Sequence, residues 1–501
     1  MIKTSAIFSK DFTVAKTDDR LFGTFLEHGG RAVYGGVYEP SHSSSDEEGF
    51  RQDVIDYVKE LDYSVVRYPG GNFVSGYDWT DGIGPVEERP IQMELAWLSL
   101  ETNQFGLDEF MSWCKKASVS PMITVNLGTK GPQEAKSMVE YCNFKGGSKW
   151  SDLRIKNGAK QPHDVKLWCL GNEMDGPWQI CAKDGVEYGK IARETAKMMK
   201  WVDPSIELVL CGSTYYDKVD FCWGAQALEQ AYEYVDYISL HIYSQDLEND
   251  AKSFLASNLK VDEYIETVIA TADYVKAKVK SNKKINLSFD EWNVWFHTIE
   301  NDTKRENWKI SQPILEDIYT CEDAVVVGLM LISLLRHADR VKIACLAQMV
   351  NVIAPIMTRK GGSVWKQTIF YPFLHASKYG RGEVLRGIIN TPKYDCRKFK
   401  DVPYLDSVCV YNEEASEVTI FAVNRSSEQS MEFRCKLRDF GKVELIEQIE
   451  MFNENMFTTN TEDHPYACIP VISNRCIMED GNLTTELNAV SWNVIRVKIL
   501  D

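Results

Sequence analysis

The sequence predicts an α/β fold in which a (β/α)8 barrel is joined to an antiparallel β-sandwich. Up to about residue 380, short apolar runs alternate with helical patterns, which is typical of a parallel sheet covered by helices. Beyond that point apolar and polar residues alternate strictly, which is typical of antiparallel strands with one solvated face. A chain of 501 residues, 44% of them hydrophobic, is long enough to bury a core for both parts.

Eight apolar runs are predicted to form the barrel strands. Each is short and bounded by turn signals, as fully buried parallel strands are. Eight strand–helix units favour a closed barrel over an open doubly wound sheet. The predicted strands are residues 21–25, 64–68, 122–126, 165–170, 207–212, 237–241, 285–290 and 342–348. The predicted helices between them include residues 53–61, 107–117, 185–201, 261–280 and 314–338.

Five runs near the C-terminus are predicted to form the sandwich, because turn clusters such as Asn412-Glu413-Glu414 separate them. The first 18 residues alternate in the same way and are expected to add a strand to it. The sequence therefore predicts two domains, a barrel over 19–380 and a sandwich made of 1–18 and 381–501. The five runs are residues 405–411, 417–424, 431–437, 443–451 and 493–500.

Composition and charge exclude several classes of function. A net charge of −17 repels phosphate backbones and does not favour binding to anionic membranes, so neither nucleic acid nor a membrane is an expected partner. The first residues lack the apolar core of a secretory signal, which predicts a cytoplasmic protein. The 13 cysteines include no Cys-x-x-Cys pair, so they are interpreted as buried fillers and free thiols, not as a disulfide framework or a zinc site.

Two glutamates are the strongest candidates for chemistry. Glu173 follows the fourth predicted strand in the stretch 168–179, and Glu291 lies at the tip of the seventh in 287–295. The active site of an eight-fold barrel lies at this end of its strands. A lone Glu after an apolar run is more often a helix cap or a surface residue, but two in Trp-rich and Asn-rich surroundings favour a site. Cleavage of a glycosidic bond needs such a pair, one to protonate the departing oxygen and one to attack the anomeric carbon.

Other polar residues also fall at predicted strand tips. Arg67 is a cation in a carboxylate-rich mouth, where it is expected to hold the nucleophile ionised. A lone histidine is more often a satisfied core residue than a catalyst, so His241 is interpreted as an orienting residue. Gly70-Gly71 is either a simple chain reversal or a tight turn that lets Asn72 approach a ligand. The remaining tip residues are Glu27, His28, Tyr243, Gln348 and Asn351.

With these motifs the chain resembles the α-L-arabinofuranosidases of glycoside hydrolase family 51. The resemblance implies that Glu173 is the acid/base and Glu291 the nucleophile of a retaining double displacement. It also implies a jelly-roll-like sandwich beside the barrel, built from both chain ends, and a homo-oligomer, often a hexamer. The matching segments, in family order, are 22–28, 67–73, 171–179, 290–295 and 347–351.

The same resemblance implies roles for the other site residues. Arg67 and Tyr243 orient Glu291, and Tyr243 also contacts the sugar. Trp97 forms a wall of the sugar pocket. The residues expected to hydrogen-bond the arabinofuranose are Glu27, Asn72, Asn172 and Gln348. Two departures from the family pattern, Gly29-Gly30 and Cys181, bear on fine specificity and not on the two glutamates.

The sequence thus predicts an exo-acting enzyme that releases terminal non-reducing α-L-arabinofuranosyl residues from oligosaccharides of arabinan or arabinoxylan. Cleavage by two carboxylates requires no metal, and none is expected, nor any cofactor. Two alternatives stay open. One is a β-xylosidase or endoglucanase specificity in the same family. The other is a non-catalytic carbohydrate-binding barrel, which the presence of both glutamates disfavours.

Overall fold

The structure is a computed structural model that describes residues 1–214, 221–302, 304–479 and 481–500. Among these residues no helix is both long enough and apolar enough to cross a membrane. The strands, in chain order, are β1 Ile2–Ser9, β2 Thr13–Lys16, β3 Gly23–Phe25, β4 Val65–Tyr68, β5 Gln92–Glu94, β6 Ser99–Glu101, β7 Ser120–Val125, β8 Leu167–Leu170, β9 Glu207–Leu210, β10 Tyr237–Ser244, β11 Asn286–Val294, β12 Val341–Leu346, β13 Ile356–Thr358, β14 Val364–Lys366, β15 Glu383–Leu385, β16 Ile388–Asn390, β17 Lys393–Tyr394, β18 Val402–Pro403, β19 Leu405–Asn412, β20 Glu417–Asn424, β21 Met431–Arg438, β22 Lys442–Met451, β23 Val471–Ser473, β24 Ile477–Glu479, β25 Asn482–Leu487 and β26 Ser491–Leu500.

The α-helices lie mainly between the barrel strands. They are α1 Gln52–Glu60, α2 Leu107–Ala117, α3 Pro132–Asn143, α4 Lys149–Lys156, α5 Gly185–Val202, α6 Phe221–Ala231, α7 Ala251–Phe254, α8 Asn258–Val279, α9 Ile299–Asp302, α10 Cys321–Arg336 and α11 Phe370–Tyr379. Short 3-10 turns cover Asp19–Phe22, Asn72–Gly76, Trp79–Gly82, Val86–Glu88 and Tyr232–Tyr234.

Eight parallel strands close the barrel in the order β3, β4, β7, β8, β9, β10, β11, β12 and back to β3. Each of the eight predicted apolar runs overlaps one of these strands, so the barrel is confirmed. The strands are apolar because helices cover their outer faces and side chains fill the interior; all residues of β3, β4 and β8 are buried. The carboxyl ends of the eight strands therefore meet at one mouth.

Two sheets form the sandwich. One has the order β16-β1-β21-β25-β24 and the other β2-β15-β19-β20-β26-β22-β23. All five predicted runs overlap strands here. The N-terminal segment supplies two strands instead of the single one expected, one to each sheet, and β1 runs parallel to β21. Between the sheets lies a second apolar core that includes Phe8, Ile420, Phe433 and Ile495.

The seven-stranded sheet uses its other face to pack against the barrel. Helix α10 lies between barrel and sandwich and is almost wholly buried, which explains why its sequence is apolar all round. At Gly328 a Cβ atom would lie 2.4 Å from the Trp492 ring, so only glycine lets that indole approach the helix. The helix begins at Cys321 after the N-cap Thr320, not at residue 314 as predicted, because the Thr320 side chain accepts from the backbone N–H of Asp323 and fixes the start.

The prediction that all cysteines are free thiols is wrong for two of them. Cys321 and Cys468 form a disulfide although 147 residues separate them in sequence. The loop before Cys468 folds over the start of α10, where Thr458 accepts from the Cys321 N–H, and this contact between domains is what brings the two thiols together. Seven other cysteines are buried as apolar fillers, namely Cys114, Cys142, Cys169, Cys211, Cys345, Cys409 and Cys435.

We propose that the two domains are divided as the sequence suggested, into 19–380 and 1–18 plus 381–501. Strand β2 of the sandwich ends at Lys16 and barrel strand β3 begins at Gly23. On the other side α11 ends at Tyr379, and β15 of the sandwich begins at Glu383. Both proposed limits therefore fall in short connections between elements of different domains.

Candidate active site

A cavity of about 490 Å³ opens at the mouth of the barrel. It is lined from the ends of seven barrel strands and from the loops that follow them, which is the position of active sites in this fold. Eight of the predicted site residues line it, namely Glu27, Asn72, Trp97, Glu173, His241, Tyr243, Glu291 and Gln348. Further lining residues are Phe25, Gly71, Trp178, Thr214, Ile242, Gln245, Lys260, Trp295, Leu315 and Ile353.

Glu291 is held by one donor on each carboxylate oxygen. Arg67, from the end of β4, donates through Nη1 to Oε1 at 2.7 Å. Tyr243, from β10, donates its hydroxyl hydrogen to Oε2 at 2.9 Å. Glu291 is only 5% exposed, so these two charge-assisted bonds fix its direction in a place that water hardly reaches.

Arg67 is a cation of the site and is 1% exposed. Its Nη2 donates to the Asn172 side-chain oxygen at 2.6 Å, and its Nε lies 3.8 Å from Oδ2 of Asp290. Burial alone lowers the pKa of Arg67, but the carboxylates of Asp290 and Glu291 raise it well above its usual value. Burial raises the pKa of Asp290, but Arg67 and His241 more than offset this, so the pKa of Asp290 is lowered and it stays ionised.

Asp290 and Glu291 both reach Arg67 although they are neighbours in one strand. In a regular strand successive side chains point to opposite faces, which would turn one of the two out of the barrel. The pairing of β11 with β12 is irregular between Phe289 and Trp292, and its pairing with β10 shifts next to His241. This bulge-like irregularity lets both carboxylates serve the barrel interior.

Glu173 lies opposite Glu291 in the mouth. Its backbone has φ +44°, in the left-handed region that non-glycine residues rarely adopt. Its Oε1 lies 2.9 Å from Nδ1 of His241, and its Oε2 accepts from Nε1 of Trp178 at 2.5 Å. A carboxylate oxygen of Glu173 and one of Glu291 lie within 4.8 Å of each other. Burial and the nearby Glu291 charge raise the pKa of Glu173, although the His241 and Trp178 contacts oppose the shift.

His241 connects Glu173 with Asp290. Its Nε2 lies 2.9 Å from Oδ1 of Asp290, and its Nδ1 lies 3.6 Å from Oε2 of Glu291 in addition to the Glu173 contact. Burial alone lowers the pKa of His241, but the charges of Glu291, Asp290 and Glu173 raise it to about 10. An imidazole that contacts three carboxylates is therefore expected to be charged at neutral pH.

Glu27 is a third buried carboxyl group of the pocket. It accepts from the Phe73 backbone N–H at 2.9 Å and from the Gln348 amide at 3.3 Å. Burial and the Glu291 charge raise the pKa of Glu27 to about 8, although the Phe73 contact lowers it. At Gly71 a Cβ atom would lie 2.5 Å from Glu27 Oε1, so this glycine lets the loop that bears Asn72 close over Glu27.

Four of the predicted residues are not among those that line the cavity, and Arg67, described above, is one of them. The Asn172 side chain accepts from Arg67 and lies 3.5 Å from Gln179, so its predicted contact with sugar stays a prediction. The two ring nitrogens of His28 hydrogen-bond with Glu101 and Tyr68. The Asn351 side chain hydrogen-bonds to the backbone of Arg31 and to Thr358. A polar residue at a strand tip thus indicates position near the mouth but not contact with the cavity.

Sequence reasoning assigned no role to Asp290 or to the indole N–H of Trp178, although both lie in the motifs that contain the glutamates. Their contacts depend on tertiary geometry, which spacing does not show. Thr214, which holds the Asp175 carboxylate through its N–H and hydroxyl at 2.9 and 2.7 Å, was also missed.

One set of side chains in the described part of the chain, Glu173, His241 and Glu291, is close enough together to hold a metal ion. A metal requires a neutral imidazole with a free nitrogen. Here both ring nitrogens of His241 contact carboxylates, and its pKa is raised. The donor set therefore fits a proton better than a metal ion.

A (β/α)8 barrel with two close, buried glutamates at its mouth is typical of a glycoside hydrolase. The comparisons with known proteins agree with this class. Models of the α-L-arabinofuranosidase 1 domain and of the α-L-arabinofuranosidase C-terminal domain match residues 57–277 and 290–491.

Relatives match over nearly the whole chain. An intracellular exo-α-(1→5)-L-arabinofuranosidase of Halalkalibacterium halodurans is 54% identical over 497 residues, 99% of both chains. One from Bacillus subtilis is 53% identical, again over 99% of both chains. The solved structure of AbfB, a family 51 α-L-arabinofuranosidase from Bifidobacterium longum, has a TM-score of 0.95 and 41% identity over 99% of both chains. This chain belongs to the α-L-arabinofuranosidases of glycoside hydrolase family 51.

Proposed function

We propose that this protein is an intracellular exo-acting α-L-arabinofuranosidase that releases terminal arabinofuranosyl residues with retention of configuration. Family membership supports the enzyme class. The names of the two bacterial relatives support an intracellular place and (1→5)-linked arabino-oligosaccharides as substrates. The observation that supports the mechanism most is the pair Glu173 and Glu291, whose carboxylate oxygens lie within 4.8 Å of each other.

In the first step Glu173 protonates the departing oxygen while Glu291 attacks the anomeric carbon. The raised pKa of Glu173 suits an acid, and the two donors on Glu291 suit an oriented, ionised nucleophile. In a retaining enzyme the two carboxyl groups stand about 5–5.5 Å apart, against about 6.5–9.5 Å where a water must fit between them. The close approach seen here favours direct attack.

In the second step Glu173, now ionised, takes a proton from water, which attacks the glycosyl-enzyme and frees Glu291. His241 and Trp178 touch the two oxygens of Glu173 and support its ionised form during this step. Around the sugar we propose contacts from Glu27, Asn72, Asn172, Tyr243 and Gln348, with Trp97 as a wall; Arg67 and His241 orient the two glutamates.

Azide rescue separates the two glutamate roles. Glu291→Ala should abolish turnover, and azide could then only attack the substrate directly, which gives the inverted β-azide. Glu173→Ala should still form the glycosyl-enzyme from a dinitrophenyl arabinofuranoside, because that leaving group needs little protonation. Azide needs no base, so it should rescue this variant and give the α-azide. The opposite stereochemical pattern would exchange the two roles, and an unimpaired Glu173→Ala on poor leaving groups would remove Glu173 as the acid.

Rates on an aryl α-L-arabinofuranoside, an aryl β-xyloside and cellulose test the specificity. A protein that favours the xyloside or cellulose would belong to the alternatives left open above, and one inactive on all three would be a binding barrel. A homo-oligomer, for which the family suggests a hexamer, also stays a proposal. Sedimentation as a single species of about 57 kDa at micromolar concentration would contradict it.

A further inference from the structure

His241 stands at the centre of a buried chain of three groups. Its Nε2 lies 2.9 Å from Oδ1 of Asp290, and its Nδ1 lies 2.9 Å from Oε1 of Glu173. Asp290 is 1% exposed and His241 2% exposed, so water hardly competes for either contact. Asp290 is too deep to line the cavity and has no part in the mechanism described so far.

The contact between Glu173 and His241 is compatible with two positions of one proton. In the first, the Glu173 hydroxyl donates to Nδ1 of a neutral ring. In the second, Nδ1–H of a charged ring donates to the Glu173 carboxylate. Passage from the first to the second breaks the O–H bond of Glu173 and forms the Nδ1–H bond of His241, and it needs no other reactant. In both states Nε2–H can donate to ionised Asp290, which leaves Nδ1 as the exchanging nitrogen.

We propose that Asp290 is a positioning residue for the acid/base group: it holds the Nε2 hydrogen of His241, presents Nδ1 to Glu173, and so makes the ring a store for the proton that Glu173 delivers to the departing oxygen. This inference rests on the acid/base role of Glu173 proposed above. Under this proposal Asp290, which precedes the nucleophile Glu291 in sequence, acts on the acid/base residue Glu173.

The negative charges around His241 come from four carboxylates and favour retention of its proton. Glu173 and Asp175 follow β8, Asp290 and Glu291 belong to β11, and the uncharged hydroxyls of Tyr243 and Tyr264 come from β10 and α8. The cation Arg67 of β4 lies on the far side of Asp290, 3.8 Å from its Oδ2, and Lys260 of α8 lines the same cavity. The summed carboxylate field is consistent with the raised pKa of His241.

A competing role for Asp290 acts through Arg67. Its Oδ2 lies 3.8 Å from Arg67 Nε, and Arg67 in turn holds Glu291. If that were its main effect, loss of the Asp290 charge would weaken the nucleophile and would slow all substrates alike. Loss of proton storage would instead slow only substrates whose leaving group needs a proton.

Asp290→Asn tests this, because it removes the charge and keeps the size and an acceptor oxygen. With a phenyl arabinofuranoside we expect the alkaline limb of kcat/KM to move to lower pH by about one unit, with about a tenfold loss above that limb. With the dinitrophenyl arabinofuranoside kcat/KM should fall less than about threefold, since that step needs little acid. Equal losses on both substrates, or an unmoved alkaline limb, would overturn the proposal.

A control variant and a double variant test whether the effect of Asp290→Asn acts through His241. Cys169→Ala removes a weak contact at 3.7 Å to the other oxygen of the same carboxylate, and it should leave the pH profile and the leaving-group dependence unchanged. In a His241→Gln background Asp290→Asn should add no further leaving-group effect; full additivity would overturn the coupling. If Glu173→Ala showed no leaving-group dependence, the proposed acid role itself would fail. A dependence in Glu173→Ala without one in Asp290→Asn would refute only the present inference.

Discussion

Tyr243→Phe should slow release of the sugar from the enzyme more than it slows transfer of the sugar to the enzyme. The Tyr243 hydroxyl donates to Oε2 of Glu291 at 2.9 Å. In the first step the carboxylate loses its charge as it attacks, so the bond weakens and contributes little to the transition state. In the second step the carboxylate is regenerated as the leaving group, so the same bond stabilises the developing charge.

The size of the effect follows from the value of one charge-assisted hydrogen bond. Such a bond contributes about 1.5–3 kcal/mol when the carboxylate is fully charged. If about half of the charge has developed in the transition state, the loss is about 0.7–1.5 kcal/mol, which lowers kcat about 3- to 13-fold. Arg67 still donates to Oε1 at 2.7 Å, so orientation of Glu291 is kept. The raised pKa of Tyr243 keeps its hydroxyl protonated, so the effect should not depend on pH between 5 and 8.

Stopped-flow release of dinitrophenolate measures both steps. The variant should show a burst of about one equivalent per site, followed by the slower steady rate, while kcat/KM stays within about twofold of the unmodified enzyme. Tyr141→Phe is the matched control, because its hydroxyl donates to Asp108 in the outer helical layer at 2.7 Å. A fall in kcat/KM as large as the fall in kcat, or a lower kcat without a burst, would refute the reasoning.

Two other predictions concern pH. Trp178→Phe removes the indole N–H that donates to Glu173 and lowers its pKa, so the alkaline limb of kcat/KM should move to higher pH. The shift should be less than about one unit, because the indole is 45% exposed. A shift to lower pH would contradict this prediction. Arg425→Met should lower the free energy of unfolding at pH 7 by about 3–5 kcal/mol in urea titrations, since Arg425 is a buried partner of Asp406 at 2.6 Å. Burial raises the pKa of Asp406, but Arg336 and Arg425 more than offset this and lower it to about 2, below the unfolded value. The stabilisation from these contacts is therefore present above about pH 4 and is lost towards pH 2. The free energy of unfolding of Arg425→Met should depend less on pH in that window, and an equal dependence would contradict the assignment.

The sequence predicted the barrel well because its strands are defined by burial. A strand covered on both faces, such as β4 or β8, needs an unbroken apolar run, and the run is visible without any coordinates. The outer strands of the sandwich were missed for the opposite reason. β23 and β24 are three residues long and largely exposed, so nothing in their sequence demands an alternating pattern.

Contacts between domains were also beyond the sequence. The start of α10 depends on Thr320 as the N-cap and on the loop before Cys468 that folds over it, and both become visible only when barrel and sandwich are assembled. The apolar pattern before residue 321 continues the helical one, because Ile314 and Leu315 pack beside the cavity without being helical. Periodicity identifies buried residues and not the backbone that carries them.

The glutamates of the site were predictable because they follow apolar runs, but the groups that would tune them were not. Strand periodicity assigns Asp290 and Glu291 to opposite faces, and it is the irregular pairing next to Phe289 that brings both to Arg67. Glu173 likewise stands in a left-handed conformation that no rule for its residue type favours. Local rules of backbone and side-chain direction therefore fail at the two residues to which we assign the chemistry. Strain and irregularity persist where the surrounding packing over-determines them. Here buried ion pairs hold the unusual backbone geometry, and this geometry places the two glutamate carboxylates, with His241 as the proposed proton store, around the glycosidic bond to be cleaved.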